Sequence, residues 1–523
     1  IAYDRAADSI EHLTREVKDM WDEGKLNDIP GVGEGIAHYL DELFRMGHVR
    51  HFDDVLGRLP ASIYPLLLVP GIGPKKAYKL VTTLKLNSAK TVIEDLQIAA
   101  KSHKIAPLEG FGEKSEADIL ANIDTYKRGA VKENRMSLAD ADRVAYEVRT
   151  FLGNVEGISH IDTLGSLRRR VSSIGDIDIG VATTKPEVAI ARFVTYPHQK
   201  LIEQGPTGAS LLLHNGRQVD MRVQKPEAYG AMLQYFTGSK NHNIKLRERA
   251  LSQGKSLNEY GIKDMKTKKI KEFESEEELY AFLGLDWIPP ELREDRGEVG
   301  ASSAHSLPKL VQLKDVCGDL HVHSSYDLES SHDLGADDVG ACLNKAEALG
   351  YEYIGFSDHN PSVGKHTSDQ IVAIMKKRKH EYEKQYASWT AKANKKVAMF
   401  LMCEVDILSD GKLALPDAAF DYVDAVIVSL HSSFALPKSE MTKRVVSALT
   451  AHPKVRIFGH PTARLLGSRE GVEFDWGEIF AVCKERDIAL EINAAPQRLD
   501  VPDTVVFDAK KLGIRFSIDT DAH

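Results

Sequence analysis

Apolar and polar residues alternate along two short stretches of the chain, which is typical of strands with one buried face. In residues 175–181 the apolar side chains point to one side, and Asp176 and Asp178 point to the other. A second alternating run, residues 218–222, carries Asp220 at its centre. If the two strands are neighbours, the three carboxylates lie close together on one face of a sheet.

Two other patterns organise the rest of the chain. Residues 36–44 and 75–84 are predicted helices, and each follows a turn with two closely spaced glycines. In the second half, short apolar stretches such as residues 353–356 and 425–428 alternate with helix-like segments, which predicts repeated β/α units around a barrel. Residues 297–308 are rich in glycine, alanine and serine and indicate a linker between the two halves.

The three aspartates predict a metal site. Three close carboxylates repel one another unless divalent cations neutralise them, and their hard oxygen atoms suit Mg²⁺ or Mn²⁺. Asp176, Asp178 and Asp220 therefore predict a two-metal centre for phosphoryl transfer. An Asp-x-Asp pair by itself more often marks the solvated face of a strand, so the metal interpretation depends on the motifs around it.

Those motifs resemble the family X DNA polymerases, the group that includes DNA polymerase β. Gly165, Ser166 and Arg169 match the family's phosphate-binding loop, and the three aspartates match its catalytic triad. Residues 235–239 match its Tyr-Phe-Thr-Gly-Ser segment, in which the resemblance implies a cis peptide between threonine and glycine. The nucleotide-binding residues that the resemblance implies are Gly165, Ser166, Arg169, Gly175, Tyr235, Phe236, Gly238, Lys240, Asn243 and Arg247.

Three positions depart from the pattern of the β polymerase. Gln218 replaces an arginine, and Lys240 replaces an acidic residue. Lys240 either adds charge near the nucleotide phosphates or is a solvated thumb residue, and both interpretations stay open. Tyr39 stands where the β polymerase has its Schiff-base lysine, and a phenol cannot form an imine. Removal of a 5′-deoxyribose phosphate is therefore in doubt, with Lys75 and Lys76 as remaining candidates.

Glycine-centred turns occur twice in good copies and once in a degenerate copy, at Gly31 and Gly33, Gly71 and Gly73, and Gly110 and Gly112. Such a turn exposes backbone N–H groups at the start of a helix, where they can bind an anion. A single Gly-x-Gly is more often an ordinary turn, but the repetition resembles the helix-hairpin-helix motif, which binds DNA phosphates without selecting sequence. The predicted DNA contacts are Gly31, Gly33, Gly71, Gly73 and Lys75.

Histidines and carboxylates follow the apolar stretches of the second half. A lone His-x-His is often structural, but six such clusters resemble the PHP (polymerase and histidinol phosphatase) domain, a distorted barrel of seven β/α units that binds up to three metal ions. The ligands that the resemblance implies are His321, His323, His359, Glu404, His431, His460, Asp521 and His523. The family's ninth ligand is an acidic residue five positions after the second histidine. Here Asp327 comes four positions after it and His332 nine, and we predict Asp327.

Mixed imidazole and carboxylate ligands favour Zn²⁺ or Mn²⁺ over Ca²⁺. In a polymerase, the resemblance implies a metal-dependent 3′-to-5′ exonuclease, with repair of blocked 3′ ends or cleavage at abasic sites as related activities. A phosphatase for a small ester would use the same chemistry. The fusion to DNA-binding hairpins argues against that alternative.

Composition limits the class of protein and its location. With 42% hydrophobic and 28% charged residues over 523 positions, the chain is typical of a soluble protein of several domains, and no stretch suggests a membrane span or signal peptide. Four widely spaced cysteines fit a reducing cytoplasm. The net charge of −9 includes the catalytic carboxylates, and local basic segments can still meet DNA. The sequence starts at Ile1 and not at a methionine, so an N-terminal targeting segment could have been removed. The last predicted ligand is His523, which leaves no segment to close the barrel, so we expect further residues after it.

We predict a DNA polymerase that fills short gaps during base excision repair, with a second, nucleolytic site. The expected partners are gapped or primed DNA and deoxynucleoside triphosphates, and the expected state is a monomer. The polymerase site would use Mg²⁺ or Mn²⁺, and the PHP site Zn²⁺ or Mn²⁺. The alternatives are a solely nucleolytic repair enzyme and a DNA-end scaffold with an inactive polymerase site.

The predicted fold class is multidomain α+β and α/β. It combines helical DNA-binding and fingers domains, a nucleotidyltransferase palm with a mixed sheet, a small thumb and a distorted (β/α)7 barrel. The predicted boundaries are 1–88 for the helix-hairpin-helix domain, 89–145 for the fingers, 146–227 for the palm, 228–295 for the thumb, 296–313 for the linker and 314–523 for the PHP domain.

Overall fold

A computed structural model of the protein describes residues 3, 6, 10, 17–22, 24–29, 32–56, 59–67, 69, 72–89, 91–108, 110–127, 135–330 and 332–523. The chain divides into two compact units, Ile1–Lys132 and Glu133–His523, and each unit is described by itself. Within the described residues, no helix has both the length and the apolar character needed to cross a bilayer.

The first unit is helical. Its α-helices are α1 (Val17–Asp22), α2 (Glu34–Met46), α3 (Arg50–Leu56), α4 (Ile63–Leu66), α5 (Pro74–Leu84), α6 (Val92–Lys101) and α7 (Glu113–Lys127). Helices α2 and α5 begin directly after Gly33 and Gly73, whose backbone is extended. Two other predicted DNA contacts, Gly31 and Gly71, lie outside the described residues.

The three glycine-centred turns share one hydrogen-bonding pattern. A backbone N–H donates to the carbonyl oxygen three residues earlier at 3.0, 3.1 and 2.9 Å, in the pairs Val32–Ile29, Ile72–Val69 and Phe111–Leu108. A Cβ atom built on Gly33, Gly73 or Gly112 would meet no other atom within 4 Å. The copy that is degenerate in sequence therefore forms the same turn, and the backbone beside these glycines is open to a ligand.

Two hydrophobic cores hold the first unit together. One lies around α1 and α2, and the other extends from Ile63 to Ile123 and includes side chains of α4 to α7. Leu86 and Val92 pack in this second core on opposite sides of the predicted boundary at residues 88 and 89. The second hairpin therefore packs with the predicted fingers helices, and the boundary at residues 88 and 89 stays a prediction.

A mixed five-stranded sheet, in the order β2-β4-β7-β6-β5, begins the second unit. The strands and helices of this palm are β1 (Met136–Ser137), α8 (Leu138–Leu152), β2 (Ile158–Thr163), α9 (Gly165–Arg168), β3 (Ser173–Ile174), β4 (Ile177–Thr183), α10 (Pro186–Phe193), β5 (Lys200–Gly205), β6 (Gly208–Leu212) and β7 (Gln218–Gln224). Ile177, Ile179 and Val181 are fully buried in one core with α8 and α10. This burial leaves the other face of β4 for its polar residues.

The next segment, the thumb, has its own hydrophobic core. Its elements are α11 (Tyr229–Thr237), α12 (Lys240–Ser252), an antiparallel sheet of β8 (Lys255–Asn258), β9 (Gly261–Asp264) and β10 (Ile270–Lys271), then α13 (Glu276–Phe282) and α14 (Glu298–Ser303). A buried ion-pair network joins it to the palm. Both carboxylate oxygens of Glu276 accept hydrogen bonds from Arg168, at 2.9 and 2.8 Å, and Arg293 donates at 2.6 Å.

Replacing Glu276 by glutamine should lower the thermal stability of the protein. Burial alone would raise the pKa of Glu276, but Arg293 and Arg168 lower it to about 2 from its usual 4.5. The carboxylate therefore stabilises the fold above about pH 4.5, and this stabilisation is lost as the pH falls towards about 2. The buried guanidinium of Arg293 and the half-buried one of Arg168, left without a charged partner, should cost about 3 to 5 kcal/mol.

The measurement is the melting temperature of wild type and Glu276→Gln between pH 3 and pH 7, a range set by those pKa values. The difference should be largest at neutral pH and shrink on acidification. Glu277→Gln, an exposed neighbour on the same helix, is the matched control and should melt like wild type. A difference that does not vary with pH would contradict the assigned role of the charge.

The rest of the second unit is a parallel barrel. Its strands are β11 (Gly318–Val322), β12 (Tyr353–Phe356), β13 (Ala398–Leu401), β14 (Glu404–Asp406), β15 (Val426–Ser429), β16 (Val455–Phe458), β17 (Ala489–Asn493) and β18 (Phe516–Asp519). They form two sheets, β11-β12-β13 and β14-β15-β16-β17-β18. Parallel bridges between Val322 and Ala522 and between His359 and Glu404 join the two sheets. Strands β13 and β14 follow each other along one line, so the barrel has seven strand positions.

Helices surround this barrel between its strands. They are α15 (Val339–Leu349), α16 (Ser368–Thr390), α17 (Lys438–Thr450), α18 (Trp476–Arg486) and α19 (Asp503–Lys511). A fully buried core packs β14 to β17 against α17 and α18. Because all strands are parallel, their carboxyl ends meet at one rim, where the loops that carry histidines and carboxylates begin.

Candidate metal centres

The first centre lies where β4 and β7 run side by side. These strands are parallel, and their register pairs Asp178 with Asp220. Asp176 precedes β4, and the three aspartates each offer an oxygen atom within 4.8 Å of the other two. The structure thus brings together the carboxylates that the alternating pattern places on one face.

The α9 loop reaches this centre through a glycine. Gly165 has a φ of 55°, and a Cβ atom at this position would lie 2.3 Å from Oδ2 of Asp178. Any other residue would therefore clash with the carboxylate. Ser166 is half-buried in the same turn, and Arg169 follows it. Gly175 directly precedes Asp176 in the chain.

The electrostatics of the first centre favour a bound cation. Burial, followed by the neighbouring Asp176 and Asp220, raises the pKa of Asp178 to about 8. Partial desolvation and Asp220 also raise the pKa of Asp176, although this residue is exposed. The amide of Gln218 donates to both oxygens of Asp220, at 3.1 and 3.0 Å, but adds no positive charge. The three carboxylates repel one another, and a divalent cation that prefers hard oxygen ligands would relieve this repulsion.

The other predicted nucleotide-binding residues cluster at the junction of α11 and α12. The rings of Tyr235 and Phe236 meet edge to face at 5.0 Å. Asn243 donates to the carbonyl oxygen of Tyr235 at 2.7 Å, and the Arg247 guanidinium lies 5.4 Å from the Tyr235 ring centre. Lys240 is the first residue of α12 and is exposed, which leaves both interpretations of its role open.

The cis peptide bond of this junction lies one residue later than the sequence comparison predicts. It joins Gly238 to Ser239, so the prediction for the bond between Thr237 and Gly238 is wrong. Gly238 has φ and ψ of 66° and −150°, a conformation that suits glycine. A Cβ atom there would also approach the Arg169 guanidinium to 3.2 Å.

The second centre lies at the carboxyl rim of the barrel. Its ligand atoms form overlapping groups in which all atoms lie within 4.8 Å of one another. The groups are His321, His323, Glu404 and Asp521; Glu404, His431 and His460; His323, His359 and His523; and His332, His359 and His431. All eight ligands that follow from the resemblance take part in at least one group.

The ninth predicted ligand, Asp327, is absent from these groups among the described residues. Its side chain is exposed and accepts the backbone N–H of Glu329 at 2.7 Å. His332 lies in the cluster instead, because Ser330 forms a bridge with Pro361 and donates to the His332 carbonyl oxygen at 2.7 Å. The loop so held turns the histidine, and not the aspartate, towards the rim.

Orphaned polar atoms show that the second centre fits metal ions. The atoms that are buried without a hydrogen-bond partner include Nε2 of His321, both ring nitrogens of His323, Nδ1 of His359 and Oε2 of Glu404. Several of them approach each other closely, such as Nδ1 of His359 and Oε2 of Glu404 at 2.9 Å. Leaving such atoms unpaired is costly, and a shared cation would satisfy them together.

The histidines of the second centre stabilise the charged form of the Glu404 carboxylate. Burial would raise the pKa of Glu404, but His321, His359 and His431 lower it well below its usual range.

His460 and Asp521 hold left-handed backbone conformations, with φ of 24° and 55°. Non-glycine residues in this region often mark functional sites.

A curated protein matches this chain along its whole length. It is "DNA polymerase/3'-5' exonuclease PolX" of Bacillus subtilis, which is 33% identical over 528 residues that include 100% of this chain and 88% of that protein. The chain belongs to the PolX family. A polymerase β thumb model matches residues 232–294, and a PHP domain model matches residues 319–495. The multidomain α+β and α/β fold class is thereby confirmed.

Two other matches cover part of this PolX chain. A probable phosphatase of Caldicellulosiruptor saccharolyticus is 28% identical over 135 residues, which is 24% of this chain and 54% of that protein. A crystal structure of Leishmania infantum polymerase beta in a ternary P/T complex aligns with a TM-score of 0.31 and 22% identity, over 45% of this chain and 99% of that one.

Carboxylates orient the histidines of the second centre, which is called the PHP centre below. The sequence analysis did not identify these carboxylates. Nδ1 of His321 donates to Glu491 at 2.5 Å, and the backbone N–H of His460 donates to the same carboxylate. Nδ1 of His431 donates to Asp406 at 2.7 Å. Such contacts fix the tautomer and direction of a metal-binding imidazole. A single carboxylate within the apolar stretch of residues 489–493 was the available signal for Glu491.

Arg135 lies beside the first centre, which is called the polymerase centre below, and the sequence analysis did not identify it. It donates to the hydroxyl and the carbonyl oxygen of Ser173, and it lowers the otherwise raised pKa of Asp176. A Cβ atom at Gly175 would lie 3.3 Å from its guanidinium. No local motif surrounds Arg135, and only the pairing of β1 with β3 brings it to the site.

Proposed function

We propose that this protein fills short gaps in DNA as a DNA-directed DNA polymerase and trims 3′ ends with the PHP centre. The observation that carries the proposal is the presence, in one PolX-family chain, of two separate groups of convergent metal ligands. The first consists only of carboxylates, with Asp178 and Asp220 paired in register. The second combines imidazoles and carboxylates.

In the polymerase reaction, Asp176 and Asp178 would hold both ions, and Asp220 would hold the ion nearest the primer. Divalent ions held by these three aspartates would neutralise phosphate charge and lower the pKa of the attacking hydroxyl. Asp220, which accepts two hydrogen bonds from Gln218, would help to accept the primer's proton. The Gly165–Ser166 turn and Arg169 would bind the triphosphate.

The oxygen-only ligand set supports Mg²⁺ or Mn²⁺ at the polymerase centre. The mixed set supports Zn²⁺ or Mn²⁺, up to three ions, at the PHP centre. There, His321 and His431 are oriented by Glu491 and Asp406, so that their other nitrogens face the shared ligand groups. Metal ions held at this rim would compensate the charge of the scissile phosphate. Glu491 and Asp406 fix the orientation of the two imidazoles.

The partners in this proposal are gapped or primed DNA and deoxynucleoside triphosphates. The open turns before α2 and α5 support phosphate contacts at Gly33, Gly73 and Lys75, with Gly31 and Gly71 as their continuation in sequence. Tyr39 stacks on His51 with ring centres 5.3 Å apart and offers no amine for lyase chemistry. A monomer in the cytoplasm stays our prediction, and the four free cysteines are compatible with it.

The test is incubation of the protein with DNA that carries a one-nucleotide gap, with and without nucleotides, after removal of metals by a chelator. With Mg²⁺ and the complementary nucleotide, the primer should lengthen by one residue. With Mn²⁺ alone, it should shorten from its 3′ end. The chelated protein should do neither. Shortening without any nucleotide-dependent extension would favour the solely nucleolytic alternative, and neither activity would favour the scaffold.

A further inference from the structure

Three consecutive arginines of the nucleotide-binding loop each pair with a carboxylate of the thumb. Arg168 pairs with Glu276 at 2.8 Å, Arg169 with Glu294 at 2.7 Å, and Arg170 with Glu291 at 3.7 Å. The positive charge of the loop is therefore compensated by the protein itself in this conformation. The three pairs differ in burial, and this difference separates their roles.

The first pair is structural. Glu276 is 2% exposed, and both its oxygen atoms are engaged by Arg168, Arg293 and the Trp287 indole. Exchanging this carboxylate for a ligand would leave buried charges without partners, which costs several kcal/mol. Arg168 is therefore committed to the fold.

The second pair is exchangeable and lies at the site. The side chains of Arg169 and Glu294 are 14% and 27% exposed, and Nε of Arg169 donates to Oε1 of Glu294 at 2.7 Å. Nη1 of Arg169 donates to the carbonyl oxygen of Thr237 at 2.6 Å. The guanidinium also lowers the raised pKa of Asp178, so its charge acts on the metal centre.

We propose that Glu294 sets the nucleotide affinity of the polymerase centre by competing with the triphosphate for Arg169. This inference rests on the proposed polymerase function. A carboxylate and a phosphate use the same guanidinium donors, and the fork of Arg169 can serve only one of them fully. Nucleotide binding must therefore displace Glu294 from Arg169, and this displacement weakens the observed affinity.

The third pair provides a matched control. Arg170 and Glu291 are 67% and 40% exposed, and their charged atoms are 3.7 Å apart. A pair this exposed is screened by solvent and contributes little. Glu291 lies three residues before Glu294 on the same segment, so Glu291→Gln removes an equal charge from nearly the same place without releasing Arg169.

The experiment measures binding of the complementary nucleotide to the full protein on gapped DNA with a dideoxy-terminated primer, in Mg²⁺. Glu294→Gln keeps the shape of the side chain and removes its charge. It should bind the nucleotide about 3- to 5-fold more tightly than wild type, which is the upper part of the range for releasing a partly exposed ion pair. Glu291→Gln should stay within about twofold of wild type. Inorganic triphosphate should also inhibit primer extension by Glu294→Gln more strongly.

A double-mutant cycle separates competition from a general effect on charge. In an Arg169→Gln background, Glu294→Gln should no longer tighten nucleotide binding, because the shared guanidinium is gone. Unchanged or weaker binding by Glu294→Gln, with primer extension intact, would overturn the inference and leave the polymerase function standing. Equal tightening by Glu291→Gln would also overturn it. A wild-type protein that does not extend primers would instead refute the proposed function.

Discussion

Replacing Asp220 by asparagine should abolish nucleotide addition and leave 3′-end trimming unchanged. Asp220 is the only carboxylate that β7 contributes to the three-aspartate group, and its register partner is Asp178. The amide keeps the size of the side chain but loses the charge that holds a cation. Removing residues that merely orient metal ligands costs about 10- to 100-fold, so loss of a ligand should cost at least about 1,000-fold in extension rate.

The same substitution should not destabilise the protein in a chelator. The pKa of Asp178 is raised to about 8 by burial and by repulsion from Asp176 and Asp220. Removing one of the repelling charges relieves this repulsion, so the melting temperature of Asp220→Asn without metal should equal or exceed that of wild type. A large fall in melting temperature would mean that the loss of extension reports misfolding.

The measurement is primer extension with Mg²⁺ and primer shortening with Mn²⁺ on one preparation. Asp142→Asn is the matched control, because Asp142 is an exposed aspartate of α8 in the same domain. It should extend primers like wild type. If Asp220→Asn lost both activities while the control kept both, the two centres would not be independent.

Local patterns located most of the predicted metal ligands, and the family resemblances selected them. Alternation with period two placed Asp176 and Asp178 on one face, because side chains of a strand alternate regardless of what pairs with it. The clusters of the barrel could be placed at one rim because each follows a short apolar strand and parallel strands end together, and the resemblance to the PHP domain then selected the ligands within them. These inferences require only the direction of each strand and not its exact neighbours.

Contacts that depend on distant register could not be predicted in this way. Glu491 reaches His321 across 170 residues, and Arg169 meets Glu294 across 125. A shift of one residue in β17 would turn Glu491 to the other face of its strand, and no local pattern fixes that register. His332 was passed over for Asp327 because the loop is shaped by the bridge from Ser330 to Pro361, which spacing along the chain does not reveal.

Glu404→Gln should have the opposite effect to Asp220→Asn. Glu404 is fully buried and belongs to two of the ligand groups, so it is the carboxylate that the neighbouring sites share. Its pKa is lowered well below the usual range by His321, His359 and His431, and the neutral amide cannot compensate these imidazoles or bridge cations. Trimming with Mn²⁺ should fall by at least about 1,000-fold, with extension unchanged within about twofold.

Bound metal provides a second measurement that does not depend on activity. Elemental analysis of the purified protein should show fewer equivalents of zinc and manganese in Glu404→Gln than in wild type, because metal affinity depends on ligand charge. Glu440→Gln, an exposed glutamate at the start of α17, is the control and should keep both metal content and trimming. Full metal content in Glu404→Gln would show that this carboxylate acts on the substrate and not on the ions. Loss of extension along with trimming would show that the barrel supports the polymerase centre, against the independence that the two separate ligand groups predict.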